Sequence, residues 1–116
     1  MKGKLQRQRD VNRAMRRLRY SNRCGSHVNC FRYHRNNSEA HERTKFEVYK
    51  ELVDQGHKVI TEAIFENGKR CDIVCLSSDP PRIIEILHTE TEEEAAEKVK
   101  DYPAGFTVEF IKAKEY

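Results

Sequence analysis

"NGKRCDIVCLSSDPPRIIEILHTE", residues 67–90, decides the reading of the chain. Asn67-Gly68 is a strong hairpin signal, because both residues tolerate the positive φ that tight turns between strands demand. "KRCDIVCL" after it reads as a strand, "SSDPPR" as a turn, since neither proline fits a central strand, and "IIEILH" as the next strand. Each of these apolar strands carries one acid, Asp72 and Glu85. A carboxylate buried without a partner is costly, so both acids require a cation, good donors or water. Alternation places Asp72 on the face of Val74 and Leu76, and Glu85 on the face of Ile83 and Leu87, and neighbouring strands can bring the two side by side. Adjacent carboxylates repel unless something positive lies between them. Hard oxygen ligands favour Mg2+ or Mn2+ in that place. A salt bridge to Arg70 or Arg82, or a strand end facing water, is the plainer alternative.

Upstream, "RNNSEAHE" signals a helix start, with Asn37 or Ser38 as N-cap, and the helix is predicted from about 39 to 55, ending at Gly56 in the left-handed C′ position. "HKVITEAIF" is the strand before the hairpin and carries Glu62 at its centre. Downstream, "TEEEAAEKVKDY" is a second helix, with Thr91 and Glu94 spaced as a capping box, which closes before Pro103. "FTVEFIKA" is the last strand. The order αβββαβ predicts an α/β domain with a mixed four-stranded sheet flanked by helices. On the first of these helices, turning about 100° per residue, Phe46, Tyr49, Leu52 and Val53 define a buried arc. Glu42 and Lys45 fall inside that arc and His41 at its edge. Either they lie above the core and snorkel to solvent, or they overhang the cleft of Asp72 and Glu85.

The net charge of +3 over 116 residues conceals a division. Residues 1–36 hold 11 Lys/Arg against Asp10 alone, a balance of +10, and residues 37–116 hold 11 against 18 acids, a balance of −7. This reads as a basic N-terminal arm joined to an acidic domain. An arm rich in Arg7, Arg9, Arg13, Arg16, Arg17 and Arg19 suits a polyanion, because each neutralised phosphate releases counterions. A solvated tail is the bland alternative, and an anionic membrane is disfavoured because the arm lacks a broad apolar face. The length allows one domain with an appendage and excludes a large multidomain enzyme. No long apolar run or secretory signal is visible, so the expectation is a soluble cytoplasmic protein.

Four cysteines in an intracellular chain argue against a disulfide framework. Cys71 and Cys75 read as small core residues. Cys24, His27, Cys30 and His34 form C-x2-H-x2-C-x3-H, a candidate structural zinc site. Otherwise they are packing residues, with Phe31 and Tyr33 docking the arm onto the body.

The element order, with Asp72 after an Asn-Gly hairpin and Glu85 thirteen residues later in "IIEIL", resembles the PD-(D/E)XK nuclease superfamily, the restriction-endonuclease-like fold. The resemblance covers residues 38–112 and is nearest to members with His-x-x-x-Lys on the first helix, among them competence-associated and viral or archaeal nuclease-like proteins. His41 and Lys45 match that pair, and "GHKVITEA" matches a strand that supplies an acid, here Glu62. The resemblance implies a metal-dependent nuclease, DNA being favoured over RNA, with a homodimer in keeping with so small a domain. Asp72 and Glu85, helped by Glu62 or Glu42, would hold Mg2+ or Mn2+, and His41 or His88 would assist. The third motif departs from the pattern: Glu85-Ile86-Leu87 puts leucine where the superfamily has lysine. Lys45 is the first substitute and Lys98 the second. The alternatives are a nuclease-like nucleic-acid-binding module without catalysis, and a zinc-stabilised interaction protein.

Overall fold

The computed structural model describes residues 3–19 and 27–114. Helix α1 (Lys4–Met15) opens the described chain, followed by α2 (Glu39–Asp54), strands β1 (Val59–Ile64), β2 (Arg70–Cys75) and β3 (Arg82–Leu87), helix α3 (Glu92–Val99) and strand β4 (Thr107–Lys112). The strands form one sheet in the order β1-β2-β3-β4. The first three make an antiparallel meander, and β4 returns through α3 to lie parallel to β3. The expected α/β class and mixed four-stranded sheet are therefore present.

Local chemistry sets the boundaries. Ser38 caps α2, its side chain accepting the His41 N–H at 3.1 Å. The helix ends where Gly56 adopts φ 89°, with the Gly56 N–H bonded to Val53 O at 2.9 Å and the His57 N–H to Leu52 O at 3.0 Å. Gly68 supplies φ 87° in the hairpin between β1 and β2. Thr91 caps α3 by accepting the Glu94 N–H at 3.1 Å.

Two apolar clusters sandwich the sheet. On one face α1 and the segment after α3 cover Ile60, Ala63, Phe65, Cys71, Val74, Leu76 and Ile83, with Tyr102, Phe106 and Val108 alongside. On the other, α2 contributes Leu52 against Val59, Ile73, Cys75, Ile84 and Ile86. The basic segment is thus no appendage lying outside the core. Val11, Ala14 and Leu18, spaced i, i+3, i+7, are buried in the first cluster, and Leu18 bridges to Phe65. Burial of Leu18 alone stabilises the docked helix by about 1.5–3 kcal/mol. Backbone bonds then fix the chain beyond α1, from the Arg19 N–H to Ile64 O at 2.7 Å and from the Glu66 N–H to Arg17 O at 3.0 Å.

Residues 27–34 are likewise part of the domain and cover the free edge of β1. The Asn29 N–H bonds Val59 O at 2.8 Å, the Val59 N–H bonds Asn29 Oδ1 at 2.9 Å, and the Arg32 N–H bonds Thr61 Oγ1 at 2.8 Å. Phe31 docks edge-on against Phe46 and beside Tyr49, at centroid distances of 5.2 and 5.5 Å. Tyr33 points outward instead. Phe46, placed on the buried arc by its apolarity, is 45% exposed, because Phe31 rather than the sheet is its neighbour. Among the described residues, no helix is long and apolar enough to cross a membrane.

Candidate active site

The acids gather where the sheet departs from regular pairing. The register of β1 with β2, Thr61↔Ile73 and Ala63↔Cys71, sets Glu62 opposite Asp72. On both strands the alternation of faces breaks there. Ile60 and Ala63 share one cluster although three residues apart, and so do Cys71 and Val74. On β1 the break coincides with a left-handed backbone at Glu62, φ 52°, unusual for a residue other than glycine. The Arg32 guanidinium holds that turn, donating to Thr61 O at 3.0 Å and to Glu62 O.

Between β2 and β3 the ladder runs from Cys75↔Arg82 to Ile73↔Ile84 and then stops. The next pair would be Asp72 with Glu85. Instead the Asp72 carboxylate occupies the seam, its Oδ2 accepting the Ile86 N–H at 2.8 Å. The same oxygen faces His41 Nε2 of α2 at 3.3 Å. Alternation on β3 puts Glu85 on the face opposite Ile84 and Ile86, where Tyr102 donates a short hydrogen bond to its Oε1 and Lys98 Nζ lies 3.7 Å from its Oε2. Asp72 and Glu85 nevertheless lie close enough across the seam for the charge of Asp72 to raise the pKa of Glu85. The two acids of the opening stretch are together, as expected, though reached by helices from both sides of the sheet.

The proton count is informative. The single Tyr102 hydroxyl proton faces two acceptors, Arg70 O at 2.8 Å and Glu85 Oε1. A proton on Glu85 Oε1, donated to the Tyr102 oxygen while the hydroxyl donates to Arg70 O, satisfies both contacts, whereas an ionised Glu85 leaves one of them without a proton. The electrostatics agree. Burial, then the charge and hydrogen bond of Asp72, push Glu85 from 4.5 up to about 8, against the opposing pull of Tyr102 and Lys98. Burial also pushes Asp72 upward, but hydrogen bonds from His41, Glu85 and the Ile86 N–H outweigh it and hold that carboxyl below its ordinary value. Burial and mutual repulsion thus favour one proton on the pair, at Glu85, over two bare carboxylates. Lys98 stays charged: burial lowers its pKa, but the carboxylates of Glu85, Asp72 and Glu90 more than offset this.

A second cluster lies beside the first. Lys45 is fully buried, its ammonium 2.7 Å from Glu42 Oε2, 3.0 Å from Arg32 O and 3.5 Å from Glu62 Oε2, with the Phe31 ring 5.1 Å away. Glu42 also accepts the N–H of His34 at 2.8 Å and the amide of Asn37 at 3.1 Å. Glu62 meets Arg70 at 3.8 Å, and burial raises its pKa despite Lys45. The expected four-acid set is therefore divided. Asp72 and Glu85 form a pair, while Glu42 and Glu62 are Lys45's partners. Lys45 donates to Arg32 O and to Glu42 Oε1 and faces Glu62, so its buried ammonium is committed to these partners. His88 lies half-buried just past the end of β3.

Among the described residues, no group of three or more His, Cys, Asp or Glu side chains is arranged to hold a metal ion. Two carboxylates are present at the seam, and they suit Mg2+, which usually takes one or two from protein and fills its remaining positions with water and phosphate oxygens. A pair that must retain a proton to coexist is a donor set in need of positive charge. For the zinc quartet, Cys24 lies outside the described residues, Cys30 is exposed as a free thiol, and His34 Nε2 is turned to the Arg70 guanidinium at 3.0 Å. Of the arginines expected to meet a polyanion, Arg9, Arg13, Arg16, Arg17 and Arg19 are exposed, and the Arg7 side chain lies outside the described part.

Sequence reading missed Tyr102 and Arg32. Helix α3, expected to run to Tyr102, ends at Val99, and Tyr102 reaches Glu85 from the turn that follows, so no helical spacing announced it. Arg32 gave no signal either, because its partners are main-chain carbonyls about thirty residues away in sequence. No protein-family model matches the chain, and comparisons with curated proteins and with solved structures yield no match either.

Proposed function

We propose that the chain is a metal-dependent nuclease that hydrolyses phosphodiester bonds, with DNA the favoured substrate, built on a restriction-endonuclease-like core. The observation that carries this reading is the Asp72–Glu85 pair at the seam between β2 and β3, with Lys98 and His41 beside it. An antiparallel three-strand meander followed by a helix and a strand parallel to the third supports the same fold.

Asp72 and Glu85 would hold Mg2+ or Mn2+, which supplies positive charge to the scissile phosphate and acidifies the attacking water. The chain's own groups do the rest. Lys98, half-exposed and protonated, is the one lysine at the pair with donors available, and it hydrogen-bonds the attacking water or a phosphate oxygen. It stands in for the lysine that Leu87 displaces. His41 is a positioning residue that fixes the Asp72 carboxylate, and Tyr102 does the same for Glu85. Lys45 braces α2 against β1 through Glu42 and Glu62 and takes no part in chemistry.

The test is a cleavage panel of labelled duplex, single-stranded and junction DNA with Mg2+ or Mn2+, run beside Asp72→Ala and Lys98→Ala. The reading requires product from the wild-type chain, loss of cleavage with retained binding for Asp72→Ala, and a slowed rate for Lys98→Ala. Absence of product from every substrate would overturn it. That outcome favours a second reading, a nuclease-like binding module without catalysis, to which buried Leu87 at the third motif lends support. Such a module binds equally with and without metal.

A further inference from the structure

Resting on that reading, we infer that the nucleic-acid backbone follows one track of cations, from the exposed face of α1 across the β1–β2 hairpin to Lys98. Helix α1 is on this account one wall of the substrate cleft and not a separate tether.

The packing of α1 dictates where its charge goes. With Val11, Ala14 and Leu18 turned inward, Arg13, Arg16 and Arg17 are left at the surface, and Arg19 leaves the helix end alongside the hairpin. The hairpin is bound on both sides. On one, the Glu66 N–H donates to Arg17 O at 3.0 Å, and the Arg19 guanidinium comes within 3.3 Å of where a side chain on Gly68 would begin. On the other, the Asn67 amide donates to Asp101 O at 2.7 Å and the Tyr102 hydroxyl to Arg70 O at 2.8 Å. Lys69 and Arg70 are exposed on this bridge, and Tyr102 in turn touches Glu85, the acid beside Lys98.

Arg13 on α1, Arg16, Arg17 and Arg19 just after it, and Lys69, Arg70 and Lys98 therefore lie on successive elements, with the exposed acids Glu66 and Asp101 beside the hairpin and Glu92, Glu93, Glu94 and Glu97 on α3 with Lys98. Surfaces that track phosphates present cations at fixed positions and end at the chemistry. The three hydrogen bonds that tie the hairpin to Arg17 after α1 and to Asp101 and Tyr102 after α3 hold the track's parts in register, which a flexible arm would not.

The track is tested by fluorescence anisotropy of the full chain with labelled duplex and single-stranded DNA in metal-free buffer, across a salt series. Arg19→Glu and Lys69→Glu each reverse one charge on the track. Lys58→Glu makes the same charge change at the opposite end of β1 from the hairpin. Each phosphate contact contributes about 0.9 to the salt slope on duplex, or about eightfold in affinity between 1 M and 0.1 M salt. Arg19→Glu and Lys69→Glu should each lower affinity at 0.1 M by at least about eightfold and flatten the slope by about 0.9, with Lys58→Glu changing it less than about twofold. Equal effects from all three, or none from the first two, would overturn the track. Weakened binding by the track variants in a chain that cleaves nothing would retain the track and remove the catalytic reading. Unaltered binding in a chain that does cleave would do the reverse.

Discussion

Replacing Glu85 with glutamine should make the protein's stability less dependent on pH. Glu85 is 2% exposed, and its pKa rises from 4.5 in the unfolded chain to about 8 in the fold. The folded state thus keeps a proton that the unfolded chain releases. The associated stability is complete below about pH 4.5 and drains away as pH rises towards 8. From pH 6 to pH 8 the loss approaches two pKa units, about 2.7 kcal/mol as an upper limit, since Asp72 titrates with Glu85 and shares the effect. For a domain of this size that corresponds to a fall in Tm of about 10 °C. A glutamine side chain in this place cannot ionise, yet its amide can donate to the Tyr102 oxygen as the protonated acid does. Melting curves followed by circular dichroism in metal-free buffer at pH 6, 7, 8 and 9 measure the difference. The Glu85→Gln variant, neutral in both states, should gain on wild type as pH rises, its margin widening by about 10 °C between pH 6 and pH 8. Two curves that decline in parallel would refute a shared proton at the seam.

Other outcomes follow from the same geometry. Lys45→Met removes the cation between two buried acids, and urea unfolding should show a loss of about 3–5 kcal/mol; a loss below about 1 kcal/mol would mean that Glu42 and Glu62 find other partners. Leu18→Ala should cost about 2–5 kcal/mol in the same assay, because the side chain is fully buried between α1 and Phe65, whereas an arm lying free of the body would lose almost nothing. Lys98→Ala should leave Tm within about 2 °C of wild type, as expected of a half-exposed side chain, while slowing cleavage by about 10²–10³-fold; an unchanged rate would remove Lys98 from the chemistry.

The sheet was legible because its punctuation is chemical and local. Asn67-Gly68, the Pro80-Pro81 turn, Ser38, Gly56 and Thr91 each act through their own backbone preferences, and the element boundaries fall where those residues put them. The N-terminal segment was harder to read as part of the domain because nine Lys/Arg between Lys2 and Arg23 dominate its composition, whereas its packing depends on Val11, Ala14 and Leu18 at helical spacing. The facing of Asp72 was illegible for a different reason. Strict alternation assumes an unbroken pleat, and the break at Glu62 is fixed by Arg32, a contact that no local pattern announces. Phe46 went astray similarly: periodicity identified which side of α2 is apolar, but the residue that covers it, Phe31, arrives from outside both helix and sheet.

The two buried ionic clusters, side by side, make the argument about purpose. Around Lys45 the fold neutralises acids thoroughly: a buried ammonium bonds Glu42 and a main-chain carbonyl and approaches Glu62, while Arg70 meets Glu62 from the solvent side. The same sheet has therefore an available way of balancing acids in its interior. At Asp72 and Glu85 it stops short. The nearest ammonium is half-exposed and 3.7 Å from Glu85, and burial with the charge of Asp72 favours a proton on Glu85. Hydrophobic replacements for such a pair would stabilise the domain, as buried ionic groups seldom repay their desolvation. Acids held in excess of their cations, at the seam of a sheet and with a lysine reaching them from the solvent side, are what binding a cation and a phosphate together requires, and packing alone gives no reason for them.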